Sequence, residues 1–142
     1  MSQDVLFVVA CALIDRDGRI LVTQRPKDKN FAGLWEFPGG KIESGETPEQ
    51  AIVRELFEEL SIEPCERCVE PLIFTTDQQQ FRTIVLLLFL CRQWDGFVQP
   101  MEGQKTKWLY PDELNELEWV SADIPLVNYL RDRLPRGSRF VR

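Results

Sequence analysis

Hydrophobic and polar positions in the N-terminal part of the chain follow a strand pattern. Residues 5–14 and 19–25 are apolar or alternating, and the Asp-Arg-Asp-Gly segment at 15–18 between them is a turn signal. Together they predict a β-hairpin. Residues 26–33 are polar and contain proline and glycine, which predicts a loop. Residues 35–37 predict a short extended piece that ends at the following Pro-Gly-Gly turn.

The next segment carries the pattern of an amphipathic helix with clear start signals. Thr47 can cap the helix, Pro48 suits its first position, and Glu49 lies in the first turn, where acidic residues are favoured. Four apolar residues then recur at helical spacing and predict a buried face: Ala51, Ile52, Leu56 and Leu60. The helix is expected to end within residues 61–64.

Strand and helix patterns follow one another in the C-terminal half. Residues 69–76 and 82–92 are rich in β-forming residues, and the apolar run 84–91 is typical of a strand buried on both faces. The remaining predictions are a strand at 105–109, a short helix from Pro111, a last helix over about 123–134 and a frayed tail at 135–142. This order predicts one α/β domain with a mixed sheet, spanning residues 1–142.

Composition and charge narrow the possible functions. The 142 residues include no histidine, which excludes Ser-His-Asp triads, Cys-His pairs and His-based zinc helices. A net charge of -6 argues against a nucleic-acid polymer as partner, because tracking phosphates requires clustered Lys and Arg. The first apolar run is too short to cross a membrane and lacks the features of a signal peptide. We therefore expect a cytoplasmic protein with no membrane partner.

Four cysteines occur in the chain. Cys65 and Cys68 have C-x-x-C spacing, but zinc would need a second pair of ligands, and a redox motif would need a strand-to-helix context. Pro64 instead follows a predicted helix end, so we expect no metal or redox role for this pair. Cys11 and Cys91 lie within apolar runs and are interpreted as small buried side chains.

The predicted helix presents a cluster of carboxylates. Glu55, Glu58 and Glu59 are spaced i, i+3 and i+4, so they share one face and repel one another unless a positive charge lies between them. A solvated acidic face is the commoner use of such residues. The functional alternative is a site for Mg²⁺, which prefers oxygen ligands.

The spacing of this cluster resembles a known motif, the Nudix box, G-x5-E-x7-R-E-U-x-E-E-x-G-U with U aliphatic. The matching residues are Gly40, Glu46, Arg54, Glu55, Leu56, Glu58, Glu59 and Ile62. Ser61 replaces the second glycine, at a helix end where a left-handed conformation is favoured. Residues 33–41 resemble the MutT branch of the Nudix hydrolases. The resemblance covers nearly the whole chain and implies an α/β (α+β) Nudix fold, a mixed central β-sheet sandwiched between helices.

The resemblance also implies that the cofactor is Mg²⁺ or Mn²⁺. The implied metal ligands are Gly39 through its carbonyl and the carboxylates of Glu55, Glu58, Glu59 and Glu102. Arg54 is implied to orient these carboxylates within the catalytic group, and Gly40 and Glu46 to support the loop before the helix. Glu102 would complete the metal shell or accept the proton of a water molecule, unless it is only a solvated loop residue.

MutT-like enzymes hydrolyse nucleoside triphosphates by attack of water on the β-phosphorus, which releases a monophosphate and pyrophosphate. The resemblance therefore implies a nucleoside triphosphate substrate. Arg25 is placed to contact its phosphates, and Arg82 is a candidate near the base. The aromatic candidates for stacking on the base are Phe37, Phe81, Trp35 and Trp108.

Asp123 is the candidate for base recognition. The matching residue in MutT is an asparagine, and an ionised Asp only accepts hydrogen bonds, which favours a donor edge such as that of 8-oxoguanine or cytosine. A buried, protonated Asp could imitate Asn, or Asp123 could simply cap the last helix. Residues 121–125 also resemble Nudix CTP pyrophosphohydrolases. We expect an oxidised purine triphosphate such as 8-oxo-dGTP, with (d)CTP or a 5-modified pyrimidine triphosphate as the alternative.

Two other functions fit the resemblance. Some Nudix domains are non-catalytic nucleotide sensors, but these typically lose box glutamates that this chain retains. Hydrolases of ADP-ribose or dinucleotides usually carry additional elements outside the box. The protein could be a monomer or a homodimer.

Overall fold

Seven strands and two α-helices form most of the structure, a computed structural model that describes residues 4–134. The strands are β1 (Asp4–Leu13), β2 (Ile20–Gln24), β3 (Trp35–Glu36), β4 (Gly39–Lys41), β5 (Val69–Gln78), β6 (Arg82–Cys91) and β7 (Lys105–Leu109). The α-helices are α1 (Pro48–Leu60) and α2 (Ile124–Arg133), and short 3₁₀ turns cover Glu66–Cys68, Pro111–Glu116 and Ser121–Asp123. The predicted tail at 135–142 lies outside the described residues.

The strands are divided between two sheets. One has the order β4-β1-β6-β5 and is mixed, because β1 runs parallel to β6 and the other pairs are antiparallel. The other has the order β3-β2-β7 and is antiparallel. Helices flank the sheets, which confirms the predicted mixed α+β fold in a single domain.

Two local predictions were wrong. The turn at 15–18 does not join a paired hairpin: β1 and β2 share only an isolated bridge between Ile14 and Ile20, because β4 and β6 occupy both edges of β1. The second error concerns β4. The glycines after Pro38 pair with β1 as a strand, whereas they were predicted only to end the extended piece at 35–37. A strand rich in glycine has no hydrophobic pattern by which to recognise it.

Core packing fixes the position of α1 over the mixed sheet. Val9 on one face of β1 belongs to a buried cluster with Leu56 of α1, whereas Ala10 on the other face belongs to a cluster with Leu130 of α2. The C-terminal half of β6 is buried, as the apolar run 84–91 predicted. No helix within residues 4–134 is long and apolar enough to span a membrane.

The ends of α1 match their sequence signals. Thr47 accepts a hydrogen bond from Gln50 N, the Gln50 side chain accepts one from Thr47 N, and Pro48 occupies the first turn. At the other end Ser61 is left-handed, with φ 59° and ψ 34°. A side chain with a Cβ is disfavoured in this conformation, so Ser61 is a local cost in an otherwise well-capped helix.

Replacing Ser61 with glycine should therefore stabilise the protein. We expect Ser61→Gly to raise the free energy of unfolding by about 1 kcal/mol, because glycine adopts the left-handed conformation without a Cβ clash. Urea unfolding measures the change. Ser61→Ala is the matched control, since it removes the hydroxyl but keeps the Cβ; an equal gain in both variants would contradict the explanation.

Candidate active site

Two glycines bring the loop before α1 into contact with the helix. Gly39 pairs with Ala10 of β1, and a Cβ on Gly39 would collide with the carbonyl oxygen of Val9. A Cβ on Gly40 would collide with the carboxylate of Glu55. Gly39 N–H donates to Glu59 Oε2 at 3.0 Å. Absence of side chains at these positions thus lets the backbone approach the acidic face of α1.

Arg54 is the cation at the centre of the acidic face. Its Nε and Nη2 donate to the two carboxylate oxygens of Glu46 at 2.6 and 3.0 Å, and Nη2 also donates to the carbonyl of Lys41 at 3.0 Å. Nη1 donates to Glu55 Oε1 at 2.9 Å and to Glu58 Oε2 at 3.3 Å. One guanidinium therefore joins the loop to the helix carboxylates in an organised network. Glu58 of the helix, with its side chain 53% exposed, is the more solvated of the two helix carboxylates that Arg54 contacts.

The carboxylates nevertheless carry more negative charge than Arg54 balances. Burial raises the pKa of Glu59 to about 9, with further increases from the charges of Glu55, Glu102 and Glu36, although the Gly39 N–H lowers it. Burial also raises the pKa of Glu55 above its usual value despite Arg54. The pKa of Glu46, by contrast, is lowered by its hydrogen bonds from Arg54. Such an excess of charge favours a bound cation.

A charged cleft of about 200 Å³ lies beside Glu59 and includes Glu102. Gln104 holds this second segment in place: its Oε1 accepts from Glu102 N at 2.8 Å, and its Nε2 donates to the carbonyl of Glu59 at 3.0 Å. Met101 N donates to the same carbonyl at 2.9 Å. Glu102 is thus brought to the end of α1, and Gln104, which the sequence analysis missed, joins the two.

Basic groups line the same cleft. Arg25 Nη1 lies 3.1 and 3.2 Å from the two oxygens of Glu36, and its Nε donates to the carbonyl of Asn30. Lys29 also lines the cleft. The structure therefore brings Arg25 together with Glu59 and Glu102, and adds Lys29 and Glu36, which the sequence analysis did not single out. Lys29 lies in the predicted loop at 26–33, which carries no periodic signal, and Glu36 lies in the short strand β3.

Asp123 is buried and does not cap α2. Its side chain accepts no capping hydrogen bond from the start of the helix. Its Oδ2 instead accepts a hydrogen bond from Phe37 N at 2.9 Å. The capping interpretation is therefore wrong, because the side chain turns away from the helix start. Burial raises the pKa of Asp123 to about 7, with a further increase from Glu36, while the Phe37 N–H lowers it. The residue can hold a proton near neutral pH.

The candidate base contacts lie in different environments. Phe37 is only 3% exposed, and its ring centroid lies 5.0 Å from that of Trp119. Arg82 is the first residue of β6. Six residues further along this strand, Leu88 lies at the same level as Gly39, on the other side of β1. That separation is about 20 Å along a strand, so Arg82 does not reach the charged cleft. Phe81, 78% exposed, lies beside Arg82 at the same remote end.

The other two aromatic candidates pack within the protein. Trp35 is buried, with the ammonium of Lys107 5.1 Å from its ring centroid. Trp108 is half-buried and stacks on Trp94 with centroids 6.2 Å apart. Neither lines the charged cleft.

The oxygen donors suit Mg²⁺ or Mn²⁺, although the side chains do not form a complete metal centre. Within residues 4–134, no group of three or more Asp, Glu or Cys side chains is placed so that it could hold a metal ion. Mg²⁺ commonly takes one or two protein carboxylates and completes its shell with waters and substrate phosphates. The residues present fit that mode: Glu59 and Glu102 face one cleft, and Glu55 lies close enough to raise the pKa of Glu59.

The family model for the NUDIX domain matches residues 6–130. This chain belongs to the Nudix hydrolase family.

Relatives of this Nudix hydrolase include two Escherichia coli enzymes. It is 41% identical to a CTP pyrophosphohydrolase over 119 residues, which cover 84% of this chain and 87% of the relative. It is 38% identical to an 8-oxo-dGTP diphosphatase, again over 119 residues, covering 82% and 89%. The solution structure of the E. coli ORF135 protein has a TM-score of 0.80 and 38% identity over 96% of each chain. A MutT structure from work on Aliivibrio salmonicida and Vibrio cholerae has a TM-score of 0.79 and 32% identity, covering 91% of this chain and 98% of that one.

The cysteines of this Nudix hydrolase differ in part from expectation. Cys65 and Cys68 are joined by a disulfide, a link that the sequence analysis did not predict. The 3₁₀ turn at Glu66–Cys68 brings their Cα atoms to 5.1 Å, within the range that a disulfide requires. Cys11 and Cys91 are buried free thiols, as predicted.

The raised pKa of Asp123 predicts a pH-dependent stability. Because its folded pKa of about 7 lies above the ordinary value of 3.8, Asp123 contributes stability that is complete below pH 3.8 and is lost as the pH rises through 7. Between pH 5 and pH 8 the free energy of unfolding of the wild type should fall by about 2 kcal/mol more than that of Asp123→Asn. The asparagine retains an acceptor for Phe37 N–H. Urea unfolding at both pH values, without divalent cations, measures this difference; equal losses would contradict it.

Proposed function

We propose that this Nudix hydrolase is a Mg²⁺-dependent, or Mn²⁺-dependent, nucleoside triphosphate pyrophosphohydrolase of the MutT type. It would convert oxidised triphosphates such as 8-oxo-dGTP to the monophosphate and pyrophosphate and so cleanse the cytoplasmic nucleotide pool. The observation that carries the proposal is the charged cleft, which the carboxylates of Glu59 and Glu102 line together with the cations Arg25 and Lys29. Carboxylates and cations in one cleft suit a metal-bound polyphosphate.

The metal would be held by Glu55, Glu58 and Glu59, with Glu102 and the carbonyl of Gly39 as further ligands. When bound, Mg²⁺ lowers the pKa of coordinated water and offsets phosphate charge. Arg54 is a positioning residue that fixes Glu55 and Glu58 relative to the loop.

Other residues of the cleft would act on the substrate and the attacking water. Arg25 and Lys29 would bind the phosphates, and Glu36 holds the Arg25 guanidinium in orientation. Glu102 would take the proton from the water that attacks the β-phosphorus. Gln104 positions Glu102 for this task through its contact with the backbone of Glu59.

Base selection would depend on Asp123. Phe37 N–H occupies Oδ2, so Oδ1 would be the oxygen that contacts the base. With a pKa of about 7, the carboxyl can be protonated, and it can then donate as well as accept. This supports 8-oxoguanine first. Phe37 remains a proposed base contact, whereas Arg82 lies too far along β6 from the charged cleft to be one.

A cytosine triphosphate is the second candidate. The relative that is 41% identical carries the name CTP pyrophosphohydrolase, and ionised Asp123 would accept a hydrogen bond from an exocyclic amine. (d)CTP and 5-modified pyrimidine triphosphates are therefore the substrates to compare with 8-oxo-dGTP.

Removing a single carboxylate charge should abolish turnover without unfolding the protein. We expect Glu55→Gln and Glu59→Gln to lower kcat/KM by about a hundredfold or more, because each loses a metal-binding oxygen charge. The amide oxygen introduced by Glu59→Gln can still accept from Gly39 N–H, so thermal stability without metal should be unchanged or higher. Glu49→Gln, on the first turn of α1, is the matched control and should retain activity. Activity near that of the wild type in either test variant would refute the metal assignment.

A substrate panel separates the candidate functions. Mg²⁺-dependent pyrophosphate release is measured with 8-oxo-dGTP, dGTP, dCTP and 5-methyl-dCTP. For ADP-ribose, whose hydrolysis releases no pyrophosphate, the monophosphate products are measured instead. We expect the highest kcat/KM for 8-oxo-dGTP. A preference for the cytosine nucleotides would support the second candidate, and binding without turnover of any substrate would indicate a sensor.

A further inference from the structure

The Cys65–Cys68 disulfide lies beside a cleft that the proposed hydrolytic function does not use. This second cleft has a volume of about 420 Å³, and its lining residues are Arg67, Cys68, Glu70, Leu90, Arg92 and Gln93. It shares no lining residue with the charged cleft around Glu59. We refer to it as the arginine cleft.

The two sulfur atoms of the disulfide lie in different surroundings. Cys65 is exposed, whereas Cys68 is half-buried, packs against the hydrophobic cluster beneath α1 and lines the arginine cleft. Cys68 is thus the half of the disulfide that borders the cleft. The proposed function, on which this step rests, places the protein in the cytoplasm: disulfides there are usually catalytic or redox-sensing, so this short-range disulfide calls for a chemical role.

The charge of the arginine cleft selects the kind of molecule that could enter. Arg67 and Arg92 are exposed, and neither takes part in the ion pairs that the described residues form with one another. Glu70 supplies the only carboxylate among the described lining residues, so the local side-chain charge is positive although the whole chain carries -6. An anion is favoured there over a neutral or cationic molecule.

We propose that Cys65 and Cys68 form a thiol–disulfide exchange site whose arginine cleft receives a small anionic thiol. The thiolate forms a bond to Cys68 Sγ, the Cys65–Cys68 bond breaks, and Cys65 leaves as a thiolate that Arg67 helps to stabilise. A second molecule of the same thiol then attacks the mixed disulfide. The protein disulfide is reduced to two thiols, and two thiol molecules are oxidised to one small disulfide, so electrons and atoms balance.

The test measures reduction rates with small thiols that differ in charge. Purified protein is oxidised with diamide and desalted, and alkylation after denaturation should label only Cys11 and Cys91. The Cys65–Cys68 bond is then reduced by 3-mercaptopropionate, 2-mercaptoethanol or cysteamine at matched thiolate concentrations. Alkylation and mass spectrometry follow the two new thiols. Arg67→Gln and Arg92→Gln are compared with Arg16→Gln, which makes the same charge change in the turn at 15–18.

Each cleft variant should lower the rate with the anionic thiol by about threefold, since one nearby charge is lost in a solvated site. The rate with neutral 2-mercaptoethanol should stay unchanged, and Arg16→Gln should alter neither. Failure of diamide to form the bond would overturn the proposal, as would equal effects of the cleft variants on anionic and neutral thiols. Pyrophosphate release depends on the other cleft, so its loss or retention leaves this outcome unaffected.

Discussion

The contact of Arg54 with its surrounding carboxylates is the interaction on which the candidate site depends. Carboxylates at i, i+3 and i+4 on a helix repel one another, and this repulsion would favour opening the last turns of α1. The guanidinium has five donors in a fixed plane, so one side chain can hold Glu46 through two bonds and still reach Glu55 and the carbonyl of Lys41. A lysine could offer the charge but not this set of directions. The network therefore sets both the helix face and the loop beside it.

The protein has no histidine. Two of its carboxyl groups instead have a pKa close to that of a histidine or above it. Burial raises the pKa of Asp123 to about 7 and that of Glu59 to about 9. Their situations differ in degree: Asp123 is almost surrounded by protein and is affected by one neighbouring carboxylate, Glu36, whereas three carboxylates raise the pKa of Glu59. Asp123 can thus donate or accept a hydrogen bond near neutral pH, while a cation bound beside Glu59 would lower the pKa that burial and the neighbouring carboxylates raise.

Sequence reasoning succeeded where local chemistry decides the structure. The Thr47 cap, the buried face of α1 and the left-handed Ser61 follow from residues within one or two helical turns. It failed where distant segments compete: β2 pairs with β7 instead of β1, and Gly39 joins a sheet for which it has no side-chain signal. The box residues could be recognised from their spacing. The link made by Gln104, however, requires knowing that a loop far along the chain returns to the end of α1.

An acidic protein that binds an anionic substrate must arrange its charges locally. In the charged cleft, Arg25 is already paired with Glu36, so its charge is partly offset before a phosphate arrives. Burial raises the pKa of Glu36 in spite of that pair, which shows that the guanidinium does not fully compensate for the loss of water. A phosphate that approached Arg25 would compete with a carboxylate that is costly to keep ionised. Protonation of Glu36 would weaken its hold on Arg25 and leave the guanidinium to the anion.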